Sequence, residues 1–428
     1  MKRRLLPILM TLVLVCALPI WAAFVTSGDV TNPLLTTAAS EMNLQGMIEQ
    51  ANAGATITLN SNTEIAATLQ IKKDLILDLN GHVLKMTGSG SVLKVSDRAT
   101  LTITDSRPQN PHTGSYGRLP AGGVITGGEG TNVPGIYNVG GAVFLENDTT
   151  LKLEGGTITE NSSSGGSVFI SGEKAVFEMS GGTITGETVG VRNNVGTFTM
   201  TGGRITGCSD RGVYVHNGNM TVSGTAYIGG NPGAKEDIYV REPVRKVTGL
   251  SVTGGTVEGN VRIEFGANLG MTQESLKPVA NSVVKEGGVF EGHIQVRIDN
   301  TEGTSVDYNT VNFIDEVAKT RTLQLVLADK KAKRPTDPDT VNGQAFMYWA
   351  KEGASEEWDF VAEINESITL YAVRTPASSG GYYYYPTTDT KADDAKGSPK
   401  TADPGVALYG VLSLLSLTGL TCTGRKKF

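Results

Sequence analysis

Apolar and polar positions repeat one pattern between residues 142 and 258. A short alternation, a pair of glycines and a second alternation make up Leu151-Lys152-Leu153-Glu154-Gly155-Gly156-Thr157-Ile158-Thr159. The pattern returns at Phe177–Thr185 and Phe198–Thr206, and more loosely at Met220–Tyr227 and Leu250–Val257. A second unit falls between the copies: Val143-Phe144-Leu145, Val168-Phe169-Ile170, Val191-Arg192-Asn193, Val213-Tyr214-Val215 and Ile238-Tyr239-Val240. Its intervals are 25, 23, 22 and 25 residues. Period-two alternation predicts strands with one face in and one face out. Self-similarity at roughly 20–30 residues predicts a solenoid, in which each repeat buries its apolar face against its neighbours.

Short strands turned by Gly-Gly and Asn-Gly corners, which tolerate positive φ, describe an all-β fold, a parallel β-helix. Crossovers between parallel strands favour one hand, so the expected coil is right-handed. Three inward columns follow: Leu151, Phe177, Phe198, Met220, Leu250; then Leu153, Met179, Met200, Val222, Val252; then Ile158, Ile184, Ile205, Tyr227, Val257.

The flanks divide the rest. Residues 1–23 join a basic head to an apolar run and predict a secretory signal peptide. Residues 40–322 are the expected solenoid, opened by a capping helix from Ser40 to Asn52, with Leu44, Met47, Ile48 and Ala51 on one face. Such a helix suits the exposed end of a solenoid core. Arg107 to Pro134, rich in Pro, Gly and Asn, reads as a lateral insertion. The periodicity changes at 323, so 323–374 is expected to be a small separate domain, and 375–397 a polar spacer. Residues 398–428 hold a polar motif, an apolar stretch from Val406 to Thr423 that can just span a bilayer, and the basic end Arg425-Lys426-Lys427.

Composition narrows the class. Glycine is 54 of 428 residues without a Gly-X-Y frame, which suits turn-dense β structure rather than collagen. Loss of the basic head and of the tail after Thr401 takes the net charge from −6 to about −11, removing six cations and one anion. An acidic product excludes a general nucleic-acid binder. Only Cys208 lies between leader and tail, so no internal disulfide is expected there, and it reads as a buried thiol. The four histidines show no metal spacing, His82 falling at an Asn-Gly corner. No cofactor or metal is implied.

The tail Ser398-Pro399-Lys400-Thr401-Ala402-Asp403 resembles the sorting signal of cell-wall-anchored surface proteins of Gram-positive, clostridial-type bacteria. Their usual motif is Leu-Pro-x-Thr-Gly; Pro399, Lys400 and Thr401 match, while Ser398 and Ala402 replace Leu and Gly. The resemblance implies cleavage by a sortase between Thr401 and Ala402, joining of Thr401 to peptidoglycan, and membrane contact only through the C-terminal segment before sorting. Residues 42–300, with Asp78-Leu79-Asn80-Gly81-His82, are similar to the pectin-lyase-like right-handed β-helix. Residues 331–374, with Tyr348-Trp349, Trp358-Asp359-Phe360 and Ile368-Thr369-Leu370-Tyr371-Ala372, resemble an internalin-type β-grasp repeat.

β-Helices also carry polysaccharide lyases and glycosidases, which need carboxylates at fixed separations. Lys152, Glu178, Thr199, Thr221 and Ser251, the outward residues of the Gly-Gly strands, form a mixed solvated face. The Asn-Thr-Asp, Asp-Asp and Gly-His-Gly phrases of polygalacturonases are absent, and no catalytic residue is assigned. The second strand differs: Phe144, Phe169, Arg192, Tyr214 and Tyr239 form an outward ladder, unusual for a solvated face. Either it is a binding strip for an extracellular glycan or protein, its rings stacking on the ligand, or the 107–134 insertion covers it. The expected function is a wall-anchored adhesin; an enzyme or a ligand-free wall protein are the alternatives.

Overall fold

The computed structural model describes residues 43–376, apart from 136, 233, 284–287, 299–304 and 328. The chain visits three sheets in turn and returns to the first. Sheet A starts at Ala55–Thr58 and ends at Leu250–Val252, with eight strands. Sheet B runs in nine strands from Thr63–Ile65 to Val289–Phe290, and sheet C runs from Leu69–Ile71 through Ile294–Ile298 before changing character. Up to that change every pairing in the three sheets is parallel and in register, as at Leu151↔Phe177↔Phe198↔Met220↔Leu250. The fold is therefore an all-β, parallel β-helix-like solenoid.

Its core is the stack of inward columns. Phe177 and Phe198 lie face to face with centroids 4.8 Å apart, the spacing of neighbouring strands. Two of the three expected columns hold throughout. In the third, Ile228 and not Tyr227 follows Ile205 inward, and Tyr227 pairs with Arg204 on the outer face. The cause is corner length. Three residues separate Met200 from Arg204, but four, Ser223 to Ala226, separate Val222 from Tyr227, and one extra residue flips the side chains that follow.

Within the Gly-Gly corners the two glycines do different work. The first meets the backbone of the preceding coil: a Cβ on Gly181 would lie 2.1 Å from the Glu154 carbonyl oxygen. The second turns the chain at positive φ, +70° for Gly182 and +79° for Gly203.

Both ends of the core are covered by helices. Helix α1, Leu44–Gln50, buries Leu44 and Ile48 and is capped by Asn43, whose side chain accepts from the Gly46 N–H. The helix start expected at Ser40 lies outside the described residues; Asn43 is extended, and the helix begins at Leu44. Gln45 accepts from the Gln70 N–H at 2.8 Å, satisfying a donor on the first strand of sheet C that would otherwise template another chain. Helix α2, Gln273–Val283, stands where the next strand of sheet A would come and buries Leu276, Ala280 and Val283. The sequence reading missed it, although Leu276, Val279, Ala280 and Val283 have helical spacing; Pro278 within it masked the pattern.

Sheet C then continues without a break into the C-terminal part. Ser305–Asp315 pairs antiparallel with Ile294–Ile298 and with Thr320–Leu327, and parallel with Ile368–Arg374. Its first half, Val306 and Tyr308, belongs to the solenoid core; its second half, Val311 and Phe313, joins Trp349, Ile364 and Leu370 in a separate cluster. The expected small domain therefore has its own core but shares a strand with the solenoid, and its described residues include no helix. Arg374 and Asp315 lock it with a buried ion pair at 2.5 Å. Burial is the largest single influence on Asp315 and opposes its ionisation, but the hydrogen bonds and charge of Arg374, together with the Ala318 and Val317 N–H groups, outweigh it and hold the carboxyl below its ordinary range.

Candidate functional site

The ladder is in register, as expected: Phe144↔Phe169↔Arg192↔Tyr214↔Tyr239, with Lys94 before it and Arg262 after it. Its surroundings divide it in two. Phe144 and Phe169 are 7% and 1% exposed, packed together at 5.4 Å beneath Val133 and Val139. Those valines sit on a hairpin of Thr131–Val133 and Tyr137–Val139. Phe144 and Phe169 are thus core residues of a small satellite cluster, and their assignment as ligand-binding residues is corrected: apolar rings on an outer face recruited a cover.

The cover is not the insertion as a whole. The stretch before the hairpin lies by sheet B, where Tyr116 donates to Glu64 at 2.7 Å and Arg118 pairs with Glu160. Asp105 ties its two ends, accepting from the Gly81 and Gly123 N–H groups at 2.7 and 2.6 Å.

Arg192, Tyr214 and Tyr239 are half-buried and carry no such cover. Tyr214 and Tyr239 stack at 5.1 Å with an interplanar angle of 18°, and the Arg192 guanidinium lies 4.9 Å from the Tyr214 centroid. Arg211 lies 4.7 Å from the Tyr239 centroid. The ring faces are therefore used within the protein, and the strip presents ring edges, hydroxyls and guanidinium N–H groups. This changes the stacking expected from sequence: side chains in register at the strand spacing stack on each other before they stack on a ligand.

A charge network borders the strip. Buried Glu236 lies 3.0 Å from Arg262 and 3.4 Å from Arg211. Glu264 lies 3.2 Å from Arg297 and 3.7 Å from Arg241, and accepts from the Tyr239 hydroxyl at 2.9 Å. Arg192 differs from these arginines in having no carboxylate partner within 4.0 Å among the described residues; its Nε, like those of Arg211 and Arg262, is buried without a hydrogen-bond acceptor. Burial lowers its affinity for a proton, and so does nearby Arg211. His216, edge-on to Tyr214, also has a buried Nδ1 without a partner; burial, then Arg241 and Arg192, depress its pKa. Sequence reading missed Glu236 and Glu264 because it followed one row of the strand, and the partners lie on neighbouring rows.

Cys208 is buried, and desolvation followed by the charge of Glu187 pushes its thiol up to about 12, so it is inert. His82 donates its backbone N–H to Leu79 at a turn. A cleft of about 370 Å³ between sheets B and C is lined by Asn231, Lys235, Asp237, Glu258 and Asn260, a carboxylate pair not picked out from sequence. Among the described residues no group of three or more metal-ligating side chains occurs, and no helix is long and apolar enough to cross a membrane. Ser398, Pro399, Lys400, Thr401 and Ala402, with the apolar stretch behind them, lie outside the described residues. Comparison with protein-family models, curated proteins and solved structures finds no match for the chain.

Proposed function

We propose that the chain is a wall-anchored surface protein that binds an extracellular glycan or protein through the uncovered half of the sheet C ladder. One observation carries the reading: in the same coils, one outer face is an ordinary solvated surface and the other is a strip of Arg192, Tyr214 and Tyr239. The solvated face of sheet A has its own Lys152–Glu178 pair at 3.3 Å and needs no ligand to account for it. Among the described residues, the strip instead leaves a guanidinium with no carboxylate within 4.0 Å beside a hydroxyl with no hydrogen-bond partner. Anchoring rests on the resemblance of residues 398–402 to a sorting signal, with a sortase and peptidoglycan as the partners. Glycan and protein arrays probed with the wild-type chain and with Tyr214→Ser test the binding. A bound ligand whose signal survives in the variant removes the strip from the account.

A second reading, a carbohydrate-active enzyme, draws on Asp237 and Glu258 lining one cleft, where burial raises the Asp237 pKa. Release of reducing or unsaturated ends from a polysaccharide, abolished by Asp237→Asn, would favour it over the adhesin.

A further inference from the structure

Resting on the surface-binding reading, we propose that the Arg192–Tyr214 strip takes an acidic polysaccharide, with its carboxylate or sulfate groups seated on the Arg192 guanidinium and the Tyr214 hydroxyl. Three observations point to that chemistry. First, the ring faces of Tyr214 are taken, by Arg192 at 4.9 Å on one side and Tyr239 at 5.1 Å on the other. Neutral sugars recognised through their C–H faces would find no free ring there.

Second, the available groups are donors. Arg192 has its ring contact and no carboxylate, the Tyr214 hydroxyl has no hydrogen-bond partner among the described residues, and the neighbouring arginines 211, 262 and 297 are already held by Glu236 and Glu264. A planar guanidinium without a counter-charge suits a carboxylate or sulfate, which it can bind with two parallel N–H bonds. Third, the surface is a flat row of strands. Each of the strands bearing the strip is paired on both sides within sheet C, so a peptide has no free edge to extend. A regular polymer with repeated acidic groups fits such a row. The hairpin over Phe144 and Phe169 closes it at one end.

The test uses the full chain in mild detergent, titrated with four probes of matched length: a polygalacturonate oligomer, a sulfated heparin-type oligosaccharide, a neutral galactan oligomer and poly-glutamate. The expected result is saturable binding of one acidic glycan, weakened by salt and by about tenfold or more in Arg192→Gln, the loss of a charge-assisted contact. Arg192→Lys should recover part of the affinity. Tyr214→Phe, which keeps the stack and removes only the hydroxyl, should weaken binding without moving the melting temperature. The uronate and sulfate arms identify the source of the anion. Equal binding of poly-glutamate, equal binding of the neutral oligomer, or an Arg192→Gln variant of unchanged affinity overturns the proposal. If the array ligand is neutral or a protein and is still lost in Tyr214→Ser, the acidic class falls and the surface-binding reading stands. With no array ligand at all, both fall.

Discussion

Glu187 gives the sharpest test of the solenoid's energetics. It sits in the corner between sheets B and C, 2% exposed, and accepts from Asn161 through its backbone N–H at 3.2 Å and its side-chain amide at 3.0 Å. Desolvation outweighs those bonds and raises its pKa from 4.5 to about 7. The unfolded chain releases this proton near its ordinary value, so between those two values the native state holds more protons than the unfolded one. Stability from this group is then complete below the unfolded pKa and is lost as pH rises through the folded pKa. At 1.36 kcal/mol for each unit, the loss between pH 4.5 and pH 7 amounts to about 3 kcal/mol. Glu187→Gln keeps an oxygen that can accept both Asn161 bonds and has no charge to desolvate. Denaturant unfolding of both chains at several values from pH 4.5 to pH 8 measures the difference directly. The variant should match wild type at the acid end and exceed it by about 3 kcal/mol above pH 7. Asp237, Glu242 and Glu291 are raised as well, so the difference between the two chains is the quantity that counts. Parallel stability curves would refute the assignment of a buried, protonated Glu187.

Four further outcomes follow from the geometry. Gly54→Ala and Gly181→Ala separate strain from crowding: Gly54 has φ +79° and nothing within 4 Å of a new Cβ, whereas Gly181 would meet Glu154 at 2.1 Å. The first should cost about 1–2 kcal/mol and the second roughly 2–4 kcal/mol in denaturant unfolding. Phe169→Ala, beneath the hairpin, should cost about 3–5 kcal/mol of stability and open residues 131–139 to proteases, without a selective loss of ligand. Replacing Tyr214 and Tyr239 together by Ser should lower stability by about 1–2 kcal/mol, through the lost stack and the Glu264 hydrogen bond, which calorimetry can read. Thr401→Ala should leave the protein extractable from purified walls by hot detergent; equal extraction of the wild-type chain would refute covalent anchoring.

The fold was legible because its period is written in single residues. Leu151, Phe177 and Phe198 mark one column, and the Gly-Gly pairs mark each corner. Where one corner gained a residue, at Ser223–Ala226, the same alternation pointed to the wrong member of Tyr227-Ile228, since alternation gives parity but not the length of the turn that sets it. Helix α2 was hidden by Pro278 and by the expectation of another strand. The candidate site was half legible: register along the ladder followed from spacing, but exposure did not. Phe144 and Arg192 occupy equivalent positions, and only the chain path of the hairpin buries the one and spares the other. The partners Glu236 and Glu264, and the cleft between Asp237 and Glu258, come from different rows and corners and meet only in three dimensions.

Ligand is expected to contact the uncovered half of the sheet C ladder. Hydroxyl-radical footprinting of the full chain, with and without the strongest ligand from the array, tests it at side-chain resolution. Protection of Tyr214, His216 and Tyr239 is expected on binding, with Phe144 and Phe169 unreactive in both states because the hairpin already covers them. Unchanged reactivity at Tyr214, with protection instead at Tyr227 beside the Asp237–Glu258 cleft or at Trp358 and Phe360, would contradict it.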